Sequence, residues 1–292
     1  MHLQIRHRTS FFYAGPAKES FNEVRLQPMD DAHQTLRAFG LTITPHCQPR
    51  GYHDLYGNMV HYFEVPGAHE ELVVEASSIV DTAPTAGRAE VPSITASELE
   101  SSPERELWAE FCANSPYVPL EVELWRAAQD ALAEGRQDVW TDVRRMASHV
   151  YQLFTYRPKV TGIDTRATDA LRLRMGVCQD YAHVLLGLCR SVGIPARYVS
   201  GYFYNPQRQP DEIEASHAWV EVLIPGYGWA AWDPTHDRAA DERYVKIATG
   251  RDYTDIRPVN GTYRGAPTRE LRVEVEVRLA ADAALAPVVR ET

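Results

Sequence analysis

The stretch RMGVCQDYAHVLLGLCRSVGIP, residues 174–195, decides the fold. Gly176 makes a turn, and behind it Ala182, Leu185, Leu186 and Cys189 recur at the spacing of an amphipathic helix. Gly193 and Pro195 stop that helix, the first suited to a C-cap and the second unable to continue the ladder. Cys178 therefore falls in the first helical turn, where unpaired backbone N–H groups and the positive end of the macrodipole favour a thiolate. Asp180 is placed to cap the same turn. A buried, inert role suits Cys189 better than Cys178, because Cys189 lies on the apolar stripe.

Downstream the pattern becomes extended. ARYVSGYFY (196–204) and SHAWVEVLI (216–224) are aromatic and β-branched runs on either side of a proline-rich turn at 205–211. A third strand, 229–232, follows the turn PGYG and ends in Asp233-Pro234-Thr235. Antiparallel strands joined by a tight turn bring their far ends together, which sets His217 beside Asp233. A carboxylate that orients an imidazole, which in turn activates a thiol, is the arrangement of nucleophilic cysteine catalysis. Trp219 alternates onto the face of His217 and is either a wall of the site or a core aromatic. His183 reads as packing. His236 reads as a structural or rim residue, since a continued strand would turn it to the other face.

GVCQDYAHV, GIPARYVSGY, SHAWVEV and WDPTHD, in that order within roughly residues 150 to 237, resemble the transglutaminase-like superfamily, a branch of the papain-like cysteine enzymes. The resemblance implies Cys178 as nucleophile, His217 as base and acid, and Asp233 as orienting carboxylate. It also implies an upstream aromatic donor to the oxyanion, for which Tyr156 in FTYRP is the choice and Tyr151 the alternative. Gln179 and Asp180 would wall the site with Trp219. The N-terminal part resembles the β-rich domain that precedes this core in bacterial members, and DYTDIRPVNGTYRG (252–265) the segment that follows it. The implied fold is α+β, an antiparallel β-sandwich before a papain-like core whose helical lobe packs on an antiparallel sheet.

The rest of the chain is consistent with that plan. LQIRHRTSFFY (3–13), NEVRLQP (22–28), LRAFGLTITP (36–45), MVHYFEVP (59–66) and ELVVEASSIV (71–80) are short β-prone runs separated by turn residues, giving a β domain over 1–83. Residues 84–103 carry the Ala, Pro, Ser and Thr of a linker. A core over 104–280 opens with helical patterns at 104–112, 120–133 and 140–154, the last with Val143, Met146, Val150 and Leu153 as its stripe. Residues 238–257 read as a charged loop. ELRVEVEVRL (270–279) alternates without a break and reads as a half-buried strand extending the core sheet, with a frayed tail at 281–292.

Composition bounds the function. With 292 residues, 44% hydrophobic and 24% charged, the chain is globular rather than disordered. A net charge of -10 argues against nucleic acid or an anionic membrane as partner, because both reward a basic face. No apolar run reaches a membrane span and the first residues lack a signal sequence, so a cytoplasmic location is expected. Cys47, Cys112, Cys178 and Cys189 lack metal-ligand spacing, and His2, His7 and His46 read as surface residues; neither metal nor cofactor is expected. The reaction expected is attack of the Cys178 thiolate on a peptide or protein amide, leaving a thioester for water or an amine to open. The Cys178 backbone N–H suits the oxyanion. Hydrolysis needs no second specific site and is preferred to transamidation. A lapsed binding module is the remaining alternative, against which the intact Cys178, His217 and Asp233 speak.

Overall fold

The computed structural model describes residues 1–84, 90–207 and 216–280. The tail expected to fray (281–292), residues 85–89 of the linker and residues 208–215 before His217 lie outside them.

The β domain is one antiparallel sheet built on a single spine, β1 (His2–Val24). The sequence breaks this strand at Gly15-Pro16, yet it runs through. Register shifts between Phe12 and Ala17 and between Lys18 and Phe21 absorb the proline, which has no N–H to give the ladder. There β1 changes neighbours. Behind it follow β2 (Gln34–Thr44), β3 (Arg50–His53), β4 (Met59–Val65) and β5 (His69–Thr82). The first half of β1 pairs with β5, and the second half with β4. The sheet bends between them and encloses Tyr13, Val24, Phe63, Leu72 and Val74. β3 was not legible in the sequence.

The expected linker holds a short helix, α1 (Ala96–Glu100), closed by a reciprocal cap between Thr95 and Glu98. A 3-10 segment (Arg105–Cys112) leads to α2 (Val122–Ala131) and α3 (Val139–Leu153). The strand β6 (Thr155–Tyr156) precedes α4 (Ala167–Leu173), and β7 (Met175–Gly176) pairs parallel with β6 just before α5 (Cys178–Ser191). Val143, Met146 and Val150 of the predicted stripe are buried. α5 is covered on all sides: every side chain from Asp180 to Cys189 is buried, where the sequence showed one stripe. Helices α2 to α4 lie on one side of it and the core sheet on the other. Burying Val184, Leu185, Leu186 and Leu188, at about 1.5–3 kcal/mol each, fixes the helix and with it the place of Cys178.

The core sheet comprises β8 (Ala196–Phe203), β9 (His217–Ile224), β10 (Gly228–Asp233), β11 (Arg238–Ala239) and β12 (Tyr244–Gly250), in the order β11-β10-β9-β8-β12. Ala218, Val220, Val222 and Ile224 join the core around α5. Two expectations fail here. The supposed charged loop contains β12, whose Tyr244, Val245, Ile247 and Ala248 are buried between charged flanks. The C-terminal run does not extend the core sheet: β13 (Val259–Gly265) and β14 (Thr268–Leu279) return to β1, with Leu3 opposite Leu279 and Tyr13 opposite Thr268. Of its apolar row only Val275 and Val277 are buried. Alternation assigns side chains to a face, but not the strand to a sheet.

The core is thus inserted into the β domain, and buried polar contacts join the two. Lys246 Nζ bridges Asp31 (2.8 Å) and Glu221 (2.6 Å), and Glu221 also pairs with Arg197. His7 is a buried contact rather than a surface residue: its Nδ1 lies 2.8 Å from the Tyr202 hydroxyl, and burial pushes its pKa down to about 4.

Candidate active site

Cys178 is the first residue of α5, after Val177 at the N-cap. Asp180 reaches back: its Oδ2 accepts from the Val177 N–H at 2.8 Å and from the Thr161 hydroxyl at 2.7 Å. Burial raises the Asp180 pKa, and these two bonds oppose the rise. Gly176 leaves room for this turn, since a Cβ there would overlap the Asp180 carboxylate. The Gln179 amide donates to the Ile163 carbonyl at 3.1 Å. Asp180 and Gln179 therefore hold the helix start and the adjoining loop in place.

The carbonyl of Ser216 lies 3.9 Å from Cys178 Sγ, and His217 follows as the first residue of β9. The hairpin register pairs Trp232 with Val220. Continued by one residue it sets Asp233 opposite Trp219, with His217 as the diagonal neighbour on the same face, within reach of long side chains. His217 Nε2 meets Asp233 Oδ2 at 2.7 Å. An ionised carboxylate only accepts, so Nε2 carries the hydrogen and Nδ1 is left for Cys178. Burial works to lower the His217 pKa, but the charge and hydrogen bond of Asp233, and then the hydrogen bond and charge of Cys178, raise it from 6.5 to about 10. Asp233 is fully buried. Burial pushes its pKa up, and the pairing with His217, followed by His236, drives it well below the ordinary carboxylate range.

Three further residues meet Asp233. His236 Nδ1 lies 2.6 Å from Oδ2, and the Tyr244 hydroxyl donates to the same oxygen at 2.7 Å. The Thr235 N–H donates to Oδ1 at 2.8 Å. His236 is not turned away, because the chain leaves the strand at Asp233 and curls through 234–237, with Asp237 at φ 47. Tyr244 belongs to the overlooked strand β12; its alternating apolar neighbours were the signal that could have found it.

A groove of about 540 Å³ opens onto this cluster, lined by His217, Thr235 and His236 on one side and by Tyr151, Phe154, Tyr156 and Tyr181 on the other. Tyr156 pairs with Gly176, two residues before Cys178. Burial, followed by the charge of Cys178, pushes its hydroxyl up to about 12, so it remains a donor at neutral pH. Tyr151 lines the same groove and is about half exposed. Trp219 does not line it. It packs on Tyr244 (5.3 Å between ring centroids) and borders a separate cavity of about 270 Å³ toward residues 31–34. Its place is behind His217 and Tyr244 rather than in the wall of the groove.

Cys189 and His183 are buried in the core, and burial pushes the Cys189 thiol up to about 12. Among the described residues, His217, Asp233 and His236 form the one group of three whose potential metal-ligand atoms converge, within 4.8 Å of one another. The carboxylate oxygen at its centre already takes three hydrogen bonds, so the group reads as a hydrogen-bonded acid–base cluster.

Comparison with known proteins identifies the family. Residues 126–234 match the model of the transglutaminase-like superfamily, and residues 3–81 that of the bacterial transglutaminase-like N-terminal region. An uncharacterized protein of Mycobacterium leprae is 35% identical over 279 residues, 94% of this chain and 98% of the relative. A protein-glutamine gamma-glutamyltransferase of Pseudomonas aeruginosa is 34% identical over 125 residues, 39% of this chain and 19% of the relative. A solved Cytophaga hutchinsonii protein with a provisional cysteine-protease name has the same fold, with a TM-score of 0.74 at 24% identity, covering 97% of this chain and 92% of that one. The chain belongs to the transglutaminase-like superfamily, with the bacterial N-terminal region ahead of its core.

Proposed function

We propose that the protein is a thiol-dependent amide hydrolase that acts on a peptide or protein substrate through Cys178, His217 and Asp233. The observation that carries this reading is the chain of contacts in which His217 gives Nε2–H to a buried carboxylate and turns its other nitrogen to a sulfur at a helix N-terminus. His217 is held as an imidazolium through neutral pH, next to Cys178. The thiolate adds to the amide carbon, and the oxyanion takes hydrogen bonds from the Cys178 N–H and the Tyr156 hydroxyl. His217 then gives its proton to the leaving amine as the C–N bond breaks, and a thioester remains. Asp233 keeps His217 in one tautomer and offsets its charge.

A second reading, acyl transfer to an amine in place of water, is favoured by the similarity to the Pseudomonas aeruginosa glutamyltransferase over the core. One experiment separates the two. The protein is incubated with a glutamine-containing peptide library and a fluorescent amine, and the products are read by mass spectrometry. Cleaved or deamidated peptides are expected, amine adducts would support the second reading, and no product beyond that of Cys178→Ala would refute both.

A further inference from the structure

Asp233 Oδ2 serves two imidazoles in opposite senses. His217 gives it Nε2–H and His236 gives it Nδ1–H. A neutral His217 therefore carries its lone pair on Nδ1, and a neutral His236 carries it on Nε2. Both rings line the groove, 5.2 Å apart between centroids. They differ in what their free nitrogens meet. His217, 11% exposed, turns toward Cys178, whereas His236 is 41% exposed and its Nε2 has no partner among the described residues. The Nδ1 edge of His236 is held against a buried carboxylate, so the bare nitrogen belongs to the edge that faces the groove.

We infer that His236 is a second catalytic base, the one that deprotonates the nucleophile opening the thioester, while His217 handles the thiol and the leaving amine. This rests on the acyl-enzyme proposed above. Water adds to the thioester carbon and its proton passes to His236 Nε2. The tetrahedral oxyanion collapses, the C–S bond breaks, and sulfur departs as the Cys178 thiolate. The acid product ionises, so two protons are released in all. One restores the His217 imidazolium and the other leaves to solvent, which frees His236. An amine in place of water would lose its proton to the same nitrogen. The order of events suits a shared carboxylate: acylation leaves His217 neutral, so His236 takes up charge at the stage when no second imidazolium stands beside it.

The test separates the two nitrogens of the ring. His236→Asn keeps an N–H donor where Nδ1 stands and removes Nε2. With the full chain and p-nitrophenyl acetate, the p-nitrophenol burst reports acylation of Cys178 and the steady rate reports deacylation. The expected result is a burst rate within about 3-fold of wild type and steady turnover lower by ~100-fold, the range of general-base contributions. Acetyl-enzyme should accumulate in the intact mass spectrum, and added imidazole should restore turnover. His236→Gln, run in parallel with imidazole rescue, decides the matter if the Asn variant unfolds. Equal loss in both phases without rescue would make His236 only a prop for Asp233 and overturn the inference, as would unchanged turnover. A wild-type protein with neither burst nor turnover above Cys178→Ala would instead remove the acyl-enzyme itself, and that failure is visible before any His236 variant is compared.

Discussion

The hydroxyl of Tyr244 donates to the carboxylate of Asp233 at 2.7 Å, so the strand that closes the core sheet also restrains the group that fixes His217. Burial, and then the Asp233 charge, raise the pKa of this phenol and keep it a donor. Tyr244→Phe should leave the fold intact at a cost of about 1 kcal/mol. It should also lower kcat/KM, because Asp233 can then swing away from His217. Thermal unfolding beside kinetics on an amide or activated ester checks both. Unchanged kcat/KM would mean that the histidines and the Thr235 N–H suffice to hold the carboxylate.

Asp233→Asn should do more than disturb a turn. Oδ2 accepts from His217, His236 and Tyr244, and Oδ1 from the Thr235 N–H. An asparagine NH2 must face at least one of these donors, which leaves a buried polar group unpaired at about 1–3 kcal/mol. Turnover should fall by orders of magnitude, as it does when an orienting carboxylate loses its charge. Urea unfolding and kcat, with Asp233→Ala measured alongside, test this. A silent asparagine would reduce the site to Cys178 and His217.

The His217 and Asp233 pair should also shape stability against pH. The folded pKa of His217 is about 10 against an ordinary 6.5, so its stabilisation is complete below about pH 6.5 and is lost as pH rises toward 10. Asp233 is shifted the other way. Its share is present above its ordinary 3.8 and is lost as pH falls toward the depressed folded value. Chemical unfolding at fixed ionic strength should show a plateau between about pH 4 and 6.5 and decline above it. His217→Gln should flatten that decline, and an equally steep slope in the variant would assign it to other groups.

Alkylation should rank the four cysteines. Burial raises the pKa of Cys47 and Cys112, and that of Cys189 to about 12. Cys178 is half-buried with an imidazolium beside it. Iodoacetamide near neutral pH, followed by peptide mass spectrometry, should modify Cys178 first and Cys189 last. Cys178→Ala should keep stability within about 1 kcal/mol, since the change removes a single half-buried atom at the edge of the core.

The parts of this molecule that were legible in the sequence are those specified locally. Cys178 sits between a turn glycine and a helical stripe, and His217 and Asp233 lie on strands joined by PGYG, so neighbours in the chain determine their placement. Tyr244 was hidden because Asp241, Glu242 and Arg243 before it, and Arg251 and Asp252 after β12, give the region the composition of a loop. His236 was misplaced by extending a strand past Pro234, where the backbone instead curls back under Asp233. The partner of β14 is set by packing over the whole length of the chain. No residue in 268–279 distinguishes β1 from the core sheet as the edge it joins.

That return of β13 and β14 to β1 has a mechanical consequence. The polypeptide crosses into the core once after β5 and crosses back once before β13. Bodies joined by one crossing can swivel about any axis, whereas here two crossings, the Lys246 bridge between Asp31 and Glu221, and the packing of Leu3, Ile5, Val80, Val275 and Val277 into the cluster around α5 fix the two against each other. A single proteolytic nick in either crossing leaves the bodies tied by the other crossing and by the β1–β14 ladder. The fragments should therefore migrate together under native conditions and part only in denaturant.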